Sequence, residues 1–191
     1  MAGRPGLLIV ISGPSGVGKD TVIKRLLELD PNLTYSVSCT TRAPRAGEVD
    51  GVNYRFVSRQ EFERLIEAGA FLEYATYDGN LYGTPIAQLD EVRAAGRDIV
   101  LKIDVQGAEQ VRKRSAEALR IFLAPPSMDE LLRRRTERHT ENAEDQSSRQ
   151  RIANLEMALA SHFDHVVVND DVEHAARRIL AIIQAARQRQ T

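Results

Sequence analysis

Residues 9–21 read Ile-Val-Ile-Ser-Gly-Pro-Ser-Gly-Val-Gly-Lys-Asp-Thr, and Gly13, Gly18 and Lys19 stand at the spacing of a phosphate-binding loop, G-x-x-x-x-G-K. Backbone N–H groups grip phosphate oxygens in such a loop, so the chain must curl tightly, in conformations that side chains obstruct. Gly13, Gly16 and Gly18 meet that need, and Pro14, Ser15 and Val17 complete the curl. The helix expected to follow offers unpaired N–H groups and the positive end of its dipole. Lys19 adds a mobile charge for the β- and γ-phosphates of a nucleoside triphosphate. One position departs from the motif: Asp20 occupies the place of the Ser or Thr that usually ligates magnesium. Its carboxylate, or the Thr21 hydroxyl, is then the metal-binding oxygen. A glycine-rich turn without a ligand is the competing reading, and the strand pattern before the loop and the helical pattern after it speak against that.

Most other chemistries lack their residue sets here. Cys39 is the only cysteine; His139, His162, His165 and His174 are scattered; and no G-x-S-x-G elbow or two-His helix occurs. Transfer of a phosphoryl group to another phosphate needs none of these. Such an acceptor, with a second pKa of about 6, is already largely dianionic at neutral pH. The reaction needs positive charge to hold two repelling polyanions in line, and it needs water kept out.

Arginines supply that charge in two groups. Arg42 and Arg45, beside Ser38 and Thr41, either grip a phosphate through bidentate bonds or line a solvated turn. Arg133, Arg134, Arg135 and Arg138 precede a polar stretch, with Arg149 and Arg151 beyond it, and Arg134 and Arg138 share a helix face. They either face an anion or are neutralised by Glu141, Glu144 and Asp145. Glu73, within Phe71-Leu72-Glu73-Tyr74-Ala75, is the candidate reader of a base. A buried carboxylate accepting two adjacent N–H groups favours guanine over adenine, whereas on an alternating strand the same residue faces water. Spacing does not choose between these.

The elements that must position these residues follow from periodicity. Leu7–Ile11 reads as a buried strand, and Val22, Ile23, Leu26, Leu27 and Leu29 as a helix ending at Asp30-Pro31. Short strands are expected over Leu33–Val37 and Asn53–Val57, with a hairpin signal at Asp50-Gly51. Ser58 and Glu61 form a capping box for a helix to about Ala68, and Phe71–Tyr77 and Leu81–Thr84 flank a second hairpin signal. From Pro85 onward, helix and strand alternate, with strands at Asp98–Ile103, Leu119–Leu123 and Val166–Val168. Seven of the ten aromatics lie between Tyr54 and Tyr82, which marks a small β-rich unit. A parallel α/β sheet covered on both faces is expected. It forms a core over about 1–37 and 85–191, with an insert over about 38–84 and a lid over about 136–150.

At 191 residues the chain suits one such domain, and a net charge of −1 offers no global basic field for nucleic acid. No membrane span is expected, and the five-residue apolar run near the N-terminus is too short for a signal peptide. A cytoplasmic location is the expectation.

Five segments together resemble guanylate kinase. They are Gly13 to Lys19, Ser38 with Thr40-Thr41-Arg42-Ala-Pro-Arg45-Ala-Gly-Glu48, Asn80-Leu-Tyr82-Gly83-Thr84, Ile103-Asp104-Val-Gln-Gly107, and Val168-Asn169-Asp170-Asp171. The resemblance implies a P-loop nucleoside monophosphate kinase fold, ATP with Mg²⁺ as phosphoryl donor, and GMP as acceptor. It implies that Arg42, Arg45, Tyr54 and Tyr82 hold the GMP phosphate, with Asp104 also on that side, and that Ser38, Glu73 and Thr84 face the guanine. Arg134 and Arg138 resemble lid arginines closing over ATP, Arg151 a further one at the transferred phosphate, and Asn169 a residue near the adenine. Besides Asp20, one departure stands out: Lys102 takes the place of an acid two residues before Asp104. Two other activities fit part of this pattern: a kinase of another small phosphate acceptor, such as a phosphorylated ribose, or a non-catalytic binding module of the same shape.

Overall fold

Strand β1, Leu8–Ser12, is buried along its whole length, as a run of five apolar or small residues without alternation demands. Its odd and even positions serve different cores. In the computed structural model, which describes residues 5–77, 79–136, 151 and 153–190 (without the side chains of Arg135 and Thr136), Ile9 and Ile11 pack on one face of the sheet and Leu8 and Val10 on the other. On the first face lie α1 (Lys19–Leu29) and α7 (Val172–Arg189), whose Val22, Ile23 and Leu26 meet Ala175, Ile179 and Ile183. On the second lie α3 (Ile86–Ala94) and α4 (Val105–Arg114), through Leu89, Ala108 and Val111. Each fully buried aliphatic side chain of this kind contributes roughly 1.5–3 kcal/mol.

The main sheet has the order β2-β7-β1-β8-β9 and is parallel throughout. Its other strands are β2 (Leu33–Tyr35), β7 (Asp98–Lys102), β8 (Leu119–Ala124) and β9 (His165–Val168). β1 is the central strand, flanked by β7 and β8, so the loop after it sits at the carboxyl edge near the middle of the sheet, where α/β folds bind ligands. At the opposite edge, buried Asp98 accepts the Leu7 N–H at 2.7 Å and the Arg187 Nε–H at 2.6 Å. Arg187 also pairs with Asp30 at 2.7 Å, so the end of the last helix is tied to the ends of α1 and β7.

A second sheet, order β4-β3-β6-β5, is built from β3 (Cys39–Thr40), β4 (Arg55–Phe56), β5 (Phe71–Tyr77) and β6 (Asn80–Pro85). Helix α2 (Arg59–Glu67) starts at Ser58, whose Oγ accepts the Glu61 N–H, and buries Phe62 against Phe71, with ring centroids 4.5 Å apart. Cys39 is a small buried member of this core. The expected strand over 53–57 shrinks to two residues, and Asp50-Gly51 forms a turn without making a hairpin. The reason is that β4 runs parallel to β3, so the turn lies inside a long connection. The second hairpin does form, with Tyr77 opposite Asn80. After β8 the chain makes α5 (Met128–Thr136), capped by Ser127, then α6 (153–158) and a 3-10 turn, Leu159–His162. Arg138 and all of the expected lid except Thr136 lie outside the described residues.

Candidate active site

The phosphate loop is shaped by its glycines and held by its lysine. Gly13 has φ +145°, and a Cβ there would sit 2.2 Å from the Leu123 carbonyl oxygen, inside van der Waals contact. Lys19 Nζ donates to the carbonyls of Gly13 at 2.6 Å and Pro14 at 3.2 Å, arching back over the loop it follows. Burial lowers the Lys19 pKa to about 8, opposed mainly by the Glu156 carboxylate, and the Lys102 ammonium lowers it further. Val17 is buried, whereas Ser15, Asp20 and Thr21 are exposed at the mouth.

Asn169 lies behind this loop. It is buried, its own N–H bonds the Ala124 carbonyl, and its Nδ2 donates to the Val17 carbonyl at 2.7 Å. The end of β9 thereby fixes the loop's backbone. Arg134 reaches the same place: its guanidinium donates to the Asn169 carbonyl at 3.3 and 3.4 Å and to Glu130 at 2.7 Å. Among the described residues, Glu130, one turn earlier on the same helix, offsets Arg133 and Arg134, and the two guanidiniums hold its pKa down to about 2. Arg151 is exposed.

A second cluster gathers on the small sheet. Arg42 Nη2 donates to both Glu48 carboxylate oxygens at 2.8 and 3.0 Å, and the guanidinium lies 5.6 Å from the Tyr54 ring centroid and 5.8 Å from that of Phe56. Tyr54 and Tyr82 meet edge to face at 5.9 Å. Glu48 also accepts the Arg45 backbone N–H at 2.7 Å, so one carboxylate orients both arginines' segments, and its pKa falls as a result. The Arg45 residue itself is exposed. Ser38 is half-buried, and its carbonyl accepts the Arg55 N–H at 2.9 Å, joining β4 to the start of β3.

The third cluster decides where Glu73 points. A register shift between Phe71 and Glu73 breaks the alternation of β5, so Phe71, Leu72 and Glu73 are all buried. Glu73 is 4% exposed and accepts the Thr84 hydroxyl hydrogen bond at 2.5 Å. Burial raises its pKa to about 7; the Thr84 bond and Arg114 oppose that, and Asp104 adds to it. The carboxylate lies against the first turn of α4, where a Cβ on Gly107 would come 2.5 Å from Glu73 Oε2. Asp104 caps that helix, accepting the Gly107 N–H at 2.7 Å. Arg114, from the far end of α4, donates to the carbonyls of Phe71 and Leu72 and fastens the two elements together.

Asp20 and Lys102 link the loop to the second cluster. Lys102 Nζ donates to Asp20 Oδ1 at 2.5 Å and stands 5.6 Å from the Tyr54 ring centroid. Neither Glu48 nor this pairing stands out in spacing, because each joins residues that only the fold brings together or that read as ordinary surface charge. Among the described residues no cluster of three or more His, Cys, Asp or Glu forms a metal cage. Magnesium is commonly held by substrate phosphates with one or two protein oxygens, and the oxygens beside Lys19 are those of Asp20 and Thr21, which fits that mode.

The comparisons with known proteins agree with this geometry. The sequence model of the guanylate kinase family matches residues 6–186. A guanylate kinase from Halalkalibacterium halodurans is 52% identical over 185 residues, covering 97% of this chain and 91% of the relative. The crystal structure of guanylate kinase from Anaplasma phagocytophilum matches with a TM-score of 0.79 at 39% identity, over 97% of this chain and 88% of that one. A gluconokinase from Sinorhizobium meliloti 1021, at 17% identity and a TM-score of 0.52 over 96% of this chain and 94% of its own, shares the fold alone. The fold is that of a P-loop kinase, and the chain belongs to the guanylate kinase family.

Proposed function

We propose that this chain catalyses ATP + GMP ⇌ ADP + GDP by direct in-line transfer, with no covalent enzyme intermediate. The observation that carries the acceptor's identity is the buried Glu73–Thr84 pair, a carboxylate kept on the wall of the site at a desolvation cost. A guanine N1–H and N2–H₂ would share that carboxylate, and Ser38 completes the base pocket. Adenine presents no such pair of donors. Arg42, Arg45, Tyr54 and Tyr82 hold the GMP phosphate, with Glu48 orienting Arg42. A kinase for a sugar phosphate would have no use for Glu73, and a mere binding module none for Lys19.

On the donor side the loop amides of residues 13–18 cradle the ATP phosphates, and Lys19 moves from carbonyls to phosphate oxygens as charge develops. Arg134 and Arg138, with Arg151, close over the transferring group, and Asn169 keeps the loop in shape from behind. Asp20 or Thr21 would hold the magnesium that accompanies ATP, and the ion would neutralise part of the phosphate charge. The core, the 38–84 insert and the 136–150 lid act as the moving parts, whose closure excludes water that would otherwise take the phosphoryl group.

The test is a panel of nucleoside and sugar monophosphates with ATP and Mg²⁺, followed by ADP release. GMP should exceed AMP in kcat/KM by at least about 100-fold, as expected where buried polar groups would be left unpaired. Equal use of AMP would overturn the base pocket.

A further inference from the structure

Lys102 is the last residue of β7 and lies in register with Ile11, immediately before the phosphate loop. Its side chain is 17% exposed, whereas that of Asp20, its partner, is 78% exposed. The ammonium therefore lies inside the cleft, and the carboxylate reaches in from the rim. Two cations stand by the Tyr54 ring, with Arg42 and Lys102 each 5.6 Å from its centroid. Lys102 and Lys19 also act on each other as like charges. Two ammoniums meet in one partly buried cleft, Lys102 bonded to Asp20 and Lys19 under the influence of the Glu156, Asp20 and Asp104 carboxylates, and a bound polyanion would add to that compensation.

We infer that Lys102 is a phosphate-binding residue of the acceptor site, with Asp20 as its positioning residue. The two departures from the family pattern then form one unit. An ammonium has three donors. Asp20 takes one, the Tyr35 phenol interacts with the same group, and a phosphate oxygen beside Tyr54 takes another. The chain thus carries a fixed cation between acceptor and donor phosphates, where Lys19 serves only the donor. This inference rests on the kinase reading above for the identity of the acceptor, but not for its phosphate.

Calorimetric binding of GMP and of guanosine to wild type, Lys102→Met, Lys102→Arg and Asp20→Ser separates the alternatives. Lys102→Met should weaken GMP binding by about 10- to 100-fold, the worth of a hydrogen bond between charged groups, and leave guanosine binding within about 2-fold. Lys102→Arg should restore most of the GMP affinity. Asp20→Ser should cost GMP less than Lys102→Met does, because the ammonium remains, and it serves as the second variant if Lys102→Met does not fold. If Lys102→Met lowers the melting temperature but binds GMP like wild type, the pair is a structural pin and the inference fails. It fails equally if Asp20→Ser costs GMP as much as Lys102→Met. If wild type prefers another monophosphate to GMP, the kinase reading fails instead. Lys102 is then tested with that monophosphate and its phosphate-free counterpart.

Discussion

The two halves of the cleft are built from different materials. On the proposed donor side the backbone would do most of the holding: a curl of residues 13–18 follows a fully buried strand, and Lys19 rests on two carbonyls of the same curl. On the proposed acceptor side, side chains would do it. Arg42, Tyr54, Glu73, Tyr82 and Thr84 lie in or beside a small sheet in which two strands are only two residues long. Two of these side chains have evident holders: Glu48 for Arg42, and Thr84 for Glu73, whose carboxylate lies against the glycine at 107. Backbone recognition tolerates many substitutions around it but none at the curl. Side-chain recognition spreads its specificity over several residues, each separately adjustable.

Single substitutions should break the two halves in different ways. The largest effect falls on the donor side: Lys19→Met should lower kcat by about 100- to 1,000-fold, as removal of one transition-state donor does, with the melting temperature nearly unchanged. Steady-state kinetics and a thermal melt decide this, and near-normal turnover would remove Lys19 from the mechanism.

Next comes Glu73→Gln, which should erode the preference for GMP over AMP by at least about 10-fold while leaving the KM for ATP alone. Its pH dependence follows from the sign of the shift. The folded-state pKa of about 7 lies above the ordinary 4.5, so the folded protein holds a proton that the unfolded chain releases between these values. Stability falls as pH rises through that window, and the cost, up to about 3 kcal/mol, is complete above pH 7. Glu73→Gln should therefore raise the melting temperature at pH 8 relative to wild type and not at pH 4.5. In wild type the KM for GMP should rise as pH drops below about 7, because a protonated Glu73 no longer accepts two donors. A KM for GMP that is flat from pH 6 to 8 would sink that role.

The smallest effect sharpens the contrast from behind the loop. Asn169→Ala removes the bond to the Val17 carbonyl and should raise the KM for ATP several-fold, by roughly the 0.5–1.5 kcal/mol of a neutral hydrogen bond. The KM for GMP should stay within about 2-fold. A change confined to GMP would place Asn169 on the wrong side of the cleft.

Local signals carried much of the architecture. Phe71–Tyr77 is legible to the residue, because strand periodicity there meets clear turn residues at both ends. The Ser58 cap was equally plain, since its bond to the Glu61 N–H spans three residues. The stretch around residues 50–57 was not. A turn signal there looks like a hairpin until β3 and β4 are known to be parallel, which depends on pairing across a connection of fourteen residues, 41–54.

The sequence by itself determined the phosphate loop, since Gly13, Gly18 and Lys19 act on their own backbone within seven residues. It also determined the alternation of helices and strands that makes a parallel sheet. Only the tertiary structure decided what lies at long range. It turned Glu73 inward, because a bulge overrides strand alternation. It assigned Glu130 to Arg133 and Arg134, a pairing open to several acids until the helix is built. It also joined Asp20 to Lys102 across 82 positions, as adjacent parallel strands bring the end of β7 beside the loop after β1. Charges so far apart in sequence have no local periodicity to betray them; their pairing is a property of strand order.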